Sequence, residues 1–136
     1  MKIAINACFG GFSLSRKALA RLAHLQGREC HHFSHEIGGR YAPADEGSAR
    51  FPNFSFDIPN PNEAVAGNSE AYARHAIQEP IDRSDPLLVQ TIEEMGDEAS
   101  GTYARVRIVE IPDGVDWEIE EHDGLETIHE KHRSWS

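Results

Sequence analysis

The sequence contains no long hydrophobic run and only two cysteines, and both scarcities exclude classes of protein. No stretch of about 18 apolar residues exists, and the apolar start Ile3-Ala4-Ile5 is far too short for a signal peptide. We therefore expect neither a membrane span nor export. Cys8 and Cys30 are too few for a disulfide framework, which indicates a reduced compartment, the cytoplasm.

Basic residues are also scarce. Thirteen Lys and Arg stand against 23 Asp and Glu, for a net charge of −10, which disfavours duplex DNA or RNA as the main partner. The charge is uneven, at +4 over residues 1–35, −4 over 36–80 and −10 over 81–136. Either the two ends attract each other, within or between subunits, or the N-terminal third offers an electropositive face to a ligand.

The first 35 residues have the pattern of a strand, a helix and a second strand. An apolar, β-branched run over 2–7 predicts a buried strand. Leu14, Ala18, Leu22 and Leu25 then form one helical stripe that ends before Gly27, and residues 29–33 favour another strand. This order predicts a βαβ unit with two parallel strands and a right-handed crossover.

The middle of the chain, about 36–80, is rich in Pro and Gly and is typical of a loop-rich, variable insertion. The pattern of Phe51, Phe54, Phe56 and Ile58 indicates a short edge strand or an anchored loop. Residues 69–79 favour a short helix that ends before Pro80.

The C-terminal third predicts a helix that leads into an antiparallel meander. Ser84 or Asp85 caps the helix, and Pro86 takes its first position. Strands follow over 103–111 and 115–119, and Asp123-Gly124 is the residue pair of a type I′ hairpin. A third strand or a short helix then covers 125–128. We expect one α/β domain of mixed α+β type over residues 1–136, with helices on one mixed sheet.

Five segments resemble a family of small proteins common in bacteriophage genomes. They are Asn6-Ala-Cys-Phe-Gly-Gly-Phe-Ser-Leu-Ser15, Arg83-Ser-Asp-Pro-Leu-Leu-Val-Gln90, Ile108-Val-Glu-Ile-Pro112 with Trp117-Glu-Ile-Glu-Glu121, and the ending His132-Arg-Ser-Trp135. The resemblance covers the first 27 residues and roughly 82–136. It implies a phage or prophage setting inside an infected bacterium, where such proteins are often directed at host functions, including nucleotide-signalling defences.

The loop from Cys8 to Ser15 is the strongest candidate for a ligand site, because it joins a strand to a helix N-terminus. Backbone N–H groups at glycines, two hydroxyls and a first-turn arginine would together hold a phosphate, and Phe9, Phe12 or Trp117 would stack a base. The loop residues concerned are Phe9, Gly10, Gly11, Phe12, Ser13, Ser15 and Arg16. The loop matches neither common nucleotide fingerprint, and a strand-to-helix turn with a cap explains the same residues.

Three further arginines complete the predicted ligand set. Arg105 and Arg107 alternate on one strand and would form an anion clamp, or would instead neutralise the acidic C-terminal strands. Arg83 lies at a helix start, where capping is the competing role.

Cysteine and histidine chemistry is weakly indicated. A phosphatase loop needs an arginine six residues after its cysteine, and Leu14 stands there after Cys8. Histidines cluster at His31, His32 and His35, and at His129 and His132 beside Glu126, yet neither cluster completes a metal set at a familiar spacing. We expect no metal and no cofactor, with zinc as a minority hypothesis.

Two functions follow from these observations. In the first, the protein is a non-catalytic homo-oligomer that sequesters a small phosphorylated ligand, such as a cyclic nucleotide immune signal, in the host cytoplasm. In the second, its acidic surface engages and inhibits a host protein. A hydrolase of a nucleotide signal ranks third, because the sequence identifies no nucleophile–base set.

Overall fold

A computed structural model describes residues 1–36, 38–45 and 53–131, and their mixed α+β architecture confirms the predicted fold class. The described helices are α1 (Arg16–Leu25), α2 (Pro61–Ala64), α3 (Ser69–His75) and α4 (Pro86–Met95), the last continued by a 3₁₀ turn (Gly96–Ala99). The described strands are β1 (Lys2–Asn6), β2 (His31–His35), β3 (Tyr41–Pro43), β4 (Asn53–Phe56), β5 (Val106–Glu110), β6 (Trp117–His122) and β7 (Leu125–Glu130). The segment 132–135 of the phage-like pattern lies outside the described residues.

These strands form three small antiparallel sheets, β1-β5, β3-β2-β4 and β6-β7. The expected parallel βαβ unit and single mixed sheet are therefore wrong, although the order strand, helix, strand is correct. Both edges of β1 are already occupied. One edge pairs with β5, while on the other the Ala4 N–H donates to the Arg83 carbonyl and the Asn6 N–H to the Glu126 carboxylate, each at 2.8 Å. The apolar run of β1 predicted a buried strand correctly and carried no information on its partner.

The chain divides into two compact units. One, here called the split unit, consists of Met1–Ser15 and Pro80–Ser136, and the other, the continuous unit, of Arg16–Glu79. The insertion predicted at 36–80 falls almost wholly in the continuous unit, which begins earlier, with α1. The core of the split unit contains Ile3, Ala4, Ile5, Leu88, Val89, Ile92 and Val106. The core of the continuous unit is a cluster of Phe33, Phe56, Val65, Ala71 and Ala76.

Local signals explain how the helices begin and end. The Asp85 carboxylate accepts hydrogen bonds from the N–H groups of Leu87 and Leu88, at 2.9 and 3.1 Å, so the predicted cap of α4 is confirmed. Helix α3 begins at Ser69 as predicted but ends at His75. It stops four residues early because Ile77 already donates its N–H to the Ser55 carbonyl at 2.8 Å, beside β4.

The Asp123-Gly124 turn joins β6 to β7 as predicted, since His122 pairs with Leu125 across it. Both turn residues have positive φ, 50° and 88°, which is the conformation of a type I′ turn. The segment after the turn is a strand, not a short helix. The meander is reduced to this hairpin, because β5 pairs with β1.

Candidate functional site

Asn6, the fully buried last residue of β1, organises the loop that follows it. Its side-chain N–H groups donate to the carbonyls of Cys8 and Gly124, both at 2.7 Å. Its Oδ1 accepts the Arg105 N–H at 2.8 Å, and its own main-chain N–H donates to Glu126 Oε1. One amide side chain thus holds the loop, the hairpin turn and the start of β5 together. Sequence reasoning missed this residue, whose signal was a polar group that ends an apolar strand.

Arg83 belongs to the same buried network. Its guanidinium forms two hydrogen bonds with the Glu126 carboxylate, at 2.7 and 3.0 Å, and a third with the Ala4 carbonyl at 3.3 Å. The same group lies 3.8 Å from the centre of the Phe12 ring. Since Glu126 is only 6% exposed, this arginine neutralises a buried charge. Arg83 and Phe12, both predicted to contact ligand, are engaged with each other.

The two glycines of the loop pack against the β6–β7 turn. The Gly10 N–H donates to the Asp123 carbonyl at 3.3 Å, and both glycines have positive φ, 133° and 91°. A Cβ placed on Gly124 would collide with the main-chain nitrogens of Gly10 and Gly11. The Gly10 N–H, which was expected to bind a phosphate, thus hydrogen-bonds the neighbouring turn.

The two serines contact the segment around the 3₁₀ turn. The Ser15 hydroxyl donates to the Glu98 carbonyl at 2.6 Å, and the Ser15 N–H donates to the Ala99 carbonyl at 2.9 Å. The Ser13 carbonyl accepts the Gly101 N–H at 3.0 Å, and a Cβ on Gly101 would collide with the Ser13 hydroxyl. Both serines therefore hold the end of the loop against this segment within the split unit.

Two of the predicted arginines bind groups of the protein itself. Arg16 lies in the continuous unit, 4% exposed, and donates to the carbonyls of Asp45 and Phe33 at 2.7 and 3.4 Å. Burial lowers the pKa of Arg16 below its usual value, and the Asp45 charge opposes this shift. Arg107 pairs with Asp97 at 2.9 Å. Its acidic partner thus lies in the 3₁₀ turn, whereas the sequence suggested the C-terminal strands.

Phe9, Tyr103 and Arg105, here called the aromatic rim, lie exposed at the mouth of the loop. The rings of Phe9 and Tyr103 are 64% and 71% exposed. Their backbones are close, because a Cβ on Gly10 would collide with the Tyr103 carbonyl, which is also 3.5 Å from Cys8 Sγ. Arg105 is exposed, and its guanidinium makes no hydrogen bond or ion pair within the described residues.

Two of the three residues of the aromatic rim belong to the ligand set predicted from the sequence. Phe9 and Arg105 belonged to the expected ligand set, whereas Tyr103 was assigned to the start of a strand. That strand begins three residues later, at Val106. Tyr103 therefore lies in a turn, where its ring is free of cross-strand neighbours. A Ser-Gly break just before it was the available signal.

The histidines of β2 separate onto two faces of its sheet, as the alternation predicts. His32 hydrogen-bonds Ser55 at 2.7 Å, while His35 packs on the Tyr41 and Phe54 rings, at 4.7 and 4.4 Å between centroids. Ser55 is only 5% exposed, so this serine–histidine pair is closed to a substrate.

A second polar cluster of the continuous unit joins Asp57 to Arg28 and His75. The Asp57 carboxylate contacts the Arg28 guanidinium at 3.0 Å and His75 Nδ1 at 2.8 Å. Burial raises the pKa of Asp57, but the hydrogen bonds and charges of His75 and Arg28 outweigh it, and the net pKa is lowered. Arg28 also donates to the carbonyls of residues 74–76, so the cluster closes the C-terminal end of α3.

The described ranges contain no group of three His, Cys, Asp or Glu side chains that could hold a metal ion. Glu126 and His129 lie on opposite faces of β7, and His132 is outside the described residues. Within 1–36, 38–45 and 53–131, no helix has the length and apolar character needed to cross a membrane.

Comparison of the chain with protein-family models, with curated proteins and with solved structures gives no match.

Proposed function

We propose that this protein is a non-catalytic binder of a small phosphorylated aromatic ligand, of the nucleotide class that includes cyclic nucleotides, at the aromatic rim. The observation that carries the proposal is the exposure of two aromatic side chains, Phe9 and Tyr103, together with that of Arg105, which lies two residues after Tyr103 in the chain. Large exposed aromatic side chains on adjacent backbone are uncommon unless they meet a partner.

The chemistry of the rim suits both parts of such a ligand. An aromatic ring gives a nucleobase a stacking partner worth about 1–3 kcal/mol per base. A guanidinium with no protein partner binds a phosphate through charge-assisted, bidentate hydrogen bonds. Arg16, Arg83 and Arg107 supply this charge less readily, because each already binds a carbonyl or carboxylate. The glycine loop then serves the site indirectly, because it places the backbone of Gly10, next to Phe9, against the Tyr103 carbonyl.

The biological setting belongs to the same proposal. Its support is the phage-like pattern of the sequence, which suggests a protein that acts in the host bacterial cytoplasm and sequesters a nucleotide immune signal. We extend the proposal to a homo-oligomer, because an exposed aromatic rim on each copy would let two copies share one ligand. Light scattering tests this part, and a mass equal to the 15.2 kDa monomer would contradict it.

Ligand titration with rim variants tests the site. Cyclic mono- and dinucleotides are titrated by calorimetry into the wild type and into Phe9→Ala, Tyr103→Ala and Arg105→Ala. We expect each variant to lose about tenfold in affinity with little change in melting temperature, because these side chains are exposed. Arg40→Ala removes an exposed arginine of the continuous unit and is the charge-matched control.

The variant Ser13→Ala distinguishes ligand binding at the rim from ligand binding in the phosphate cradle predicted for the loop. If the loop binds the phosphate, Ser13→Ala should lose roughly five- to thirtyfold in ligand affinity. If the ligand binds at the rim, the affinity should be unchanged. The proposal fails if no nucleotide binds at millimolar concentration, or if the Phe9 and Tyr103 variants bind as the wild type does.

The β6–β7 hairpin supports inhibition of a host protein as a second candidate function. Five of its acidic side chains are exposed: Glu118, Glu120, Glu121, Asp123 and Glu130. Glutamine or asparagine at these positions would abolish association with a basic host protein and leave nucleotide binding at the rim intact.

A further inference from the structure

The outer edge of β5 has unpaired backbone groups. Main-chain bonds join Ala7 to Arg105 and Met1 to Ile111, so the odd-numbered residues of β5 face β1 and the even-numbered ones face outward. The N–H and C=O of Ile108 and Glu110 point away from β1, and no group within the described residues hydrogen-bonds them. An edge of this kind can accept an additional strand.

The start of this edge is closed. The Val106 N–H donates to the Ser100 hydroxyl at 3.0 Å, and its carbonyl accepts the Arg107 guanidinium at 2.8 Å. Arg107 is held there by Asp97. An added strand can therefore form main-chain hydrogen bonds with β5 only from Ile108 onward.

A groove of about 450 Å³ lies beside the first residues of β5 and reaches the open part of the edge at Ile108. Its lining residues are Ile92, Glu93, Gly96, Asp97, Val106, Arg107 and Ile108. Ile92, Val106 and Ile108 give the groove an apolar floor, and Glu93 and Asp97 line its polar part.

The charge around the groove is acidic. The segment 93–110 carries five acidic residues against two basic ones in a chain of net charge −10, and a third basic residue, Lys2, pairs with Glu93 at 2.8 Å. Glu110 is exposed at the open end of the edge, and Asp97 is exposed although it pairs with Arg107. A second copy of this chain would bring like charge to this surface, whereas a basic segment complements it.

We propose that the edge of β5 from Ile108 to Glu110 binds an extended, lysine-rich segment of a partner protein as an added antiparallel strand. Main-chain hydrogen bonds to Ile108 and Glu110 hold the strand. Its lysine side chains lie with their aliphatic stems on the apolar floor of the groove and their ammonium groups near Glu110, because Glu93 already forms an ion pair with Lys2. The site is separate from the aromatic rim and does not rest on the proposed nucleotide binding.

A labelled synthetic peptide that alternates lysine and valine tests this site on the full chain. Fluorescence anisotropy measures its affinity, and hydrogen exchange followed by NMR reports on single amides. We expect the Ile108 and Glu110 amides to exchange rapidly in the free protein and to become protected when the peptide is bound. The same peptide with N-methyl groups on its central residues cannot pair and should lose about tenfold or more in affinity.

Two proline variants locate the binding edge. Glu110→Pro removes an outward N–H from β5, which an edge strand tolerates, and should weaken peptide binding about tenfold. Glu121→Pro makes the same chemical change on the outer edge of β6, where the Glu121 N–H also points away from its partner strand, and should leave binding unchanged. Glu110→Gln keeps the N–H and should lose at most about fivefold, the value of one surface charge.

Several outcomes would overturn the proposal. They are the absence of binding at millimolar peptide, binding without protection of the Ile108 and Glu110 amides, and equal affinity for a peptide with glutamate in place of lysine. A dimer that Glu110→Pro converts to monomer in light scattering would assign the edge to a second copy, and would also contradict the proposal. A failure here leaves the nucleotide titration at the rim unaffected.

Discussion

At the scale of single residues, the buried carboxylate of Glu126 has the strongest consequences for the split unit. It accepts hydrogen bonds from the Arg83 guanidinium and the Asn6 N–H, which belong to segments far apart in the sequence. A buried ion pair contributes little beyond what two apolar side chains would, but removal of one partner leaves the other charge without compensation.

Glu126→Gln should therefore lower the free energy of unfolding by about 2–4 kcal/mol, because Arg83 keeps its charge and loses its counter-ion. Urea denaturation measures the loss. Glu130→Gln is the control on the same strand and face, where the side chain is exposed, and should change stability by less than about 0.5 kcal/mol. Equal losses in the two variants would show that the buried network does not stabilise the fold.

At the scale of elements, the Gly10-Gly11 loop contacts the β6–β7 turn. This contact predicts that alanine at two glycines, one inside the turn and one outside it, will destabilise the protein to different extents. Gly114 and Gly124 both have positive φ, 79° and 88°, so alanine at either position carries a similar backbone strain of about 1 kcal/mol. A Cβ at Gly114 meets open space, whereas at Gly124 it meets the loop. Thermal unfolding should show Gly124→Ala less stable than Gly114→Ala by about 1–3 kcal/mol. Equal stabilities would contradict the packing of the loop on the turn.

Elements specified by neighbouring residues could be predicted from the sequence, and their long-range partners could not. The cap of α4 at Asp85 and the Asp123-Gly124 turn depend on a few adjacent residues, and both are confirmed. The pairing of β1 with β5 joins residues about a hundred positions apart, and an apolar run does not encode such a partner.

The candidate site divides in the same way between local and long-range signals. Phe9 was predicted from its place in the glycine loop after β1, and Arg105 from its alternation with Arg107 on one strand. Tyr103 and Asn6 acquire their significance only from the loop and turn that the fold brings to them.

At the scale of the whole molecule, the acidic composition makes stability depend on pH. Hydrogen bonds with Ser84 lower the pKa of Asp82, and the Asp57 pKa is lowered by its cluster despite burial. A carboxyl whose pKa is lower in the folded state binds fewer protons there than in the unfolded chain. Its contribution to stability is full above the unfolded value of about 3.8 and is lost as the pH falls through the lower folded value.

We expect Asp57→Asn to be less stable than the wild type near pH 7, and the difference to shrink as the pH falls below about 3.8 and through the lowered pKa of folded Asp57. Urea denaturation across this range measures the difference. Asp116→Asn changes an exposed carboxylate without a partner in the described residues and should change stability by less than about 0.5 kcal/mol. A constant difference for Asp57→Asn would contradict the proposed role of its ion pairs.

The interruption of the split unit by residues 16–79 has a kinetic consequence. The bond between the Arg105 N–H and Asn6 Oδ1 spans 99 residues, so the split unit closes a long loop before any β1–β5 contact compensates for the lost entropy. Compaction of residues 16–79 brings the ends of that loop closer and lowers this cost by about 0.6 kcal/mol for each halving of its effective length. The order of folding that this favours is the continuous unit first and the β1–β5 sheet last.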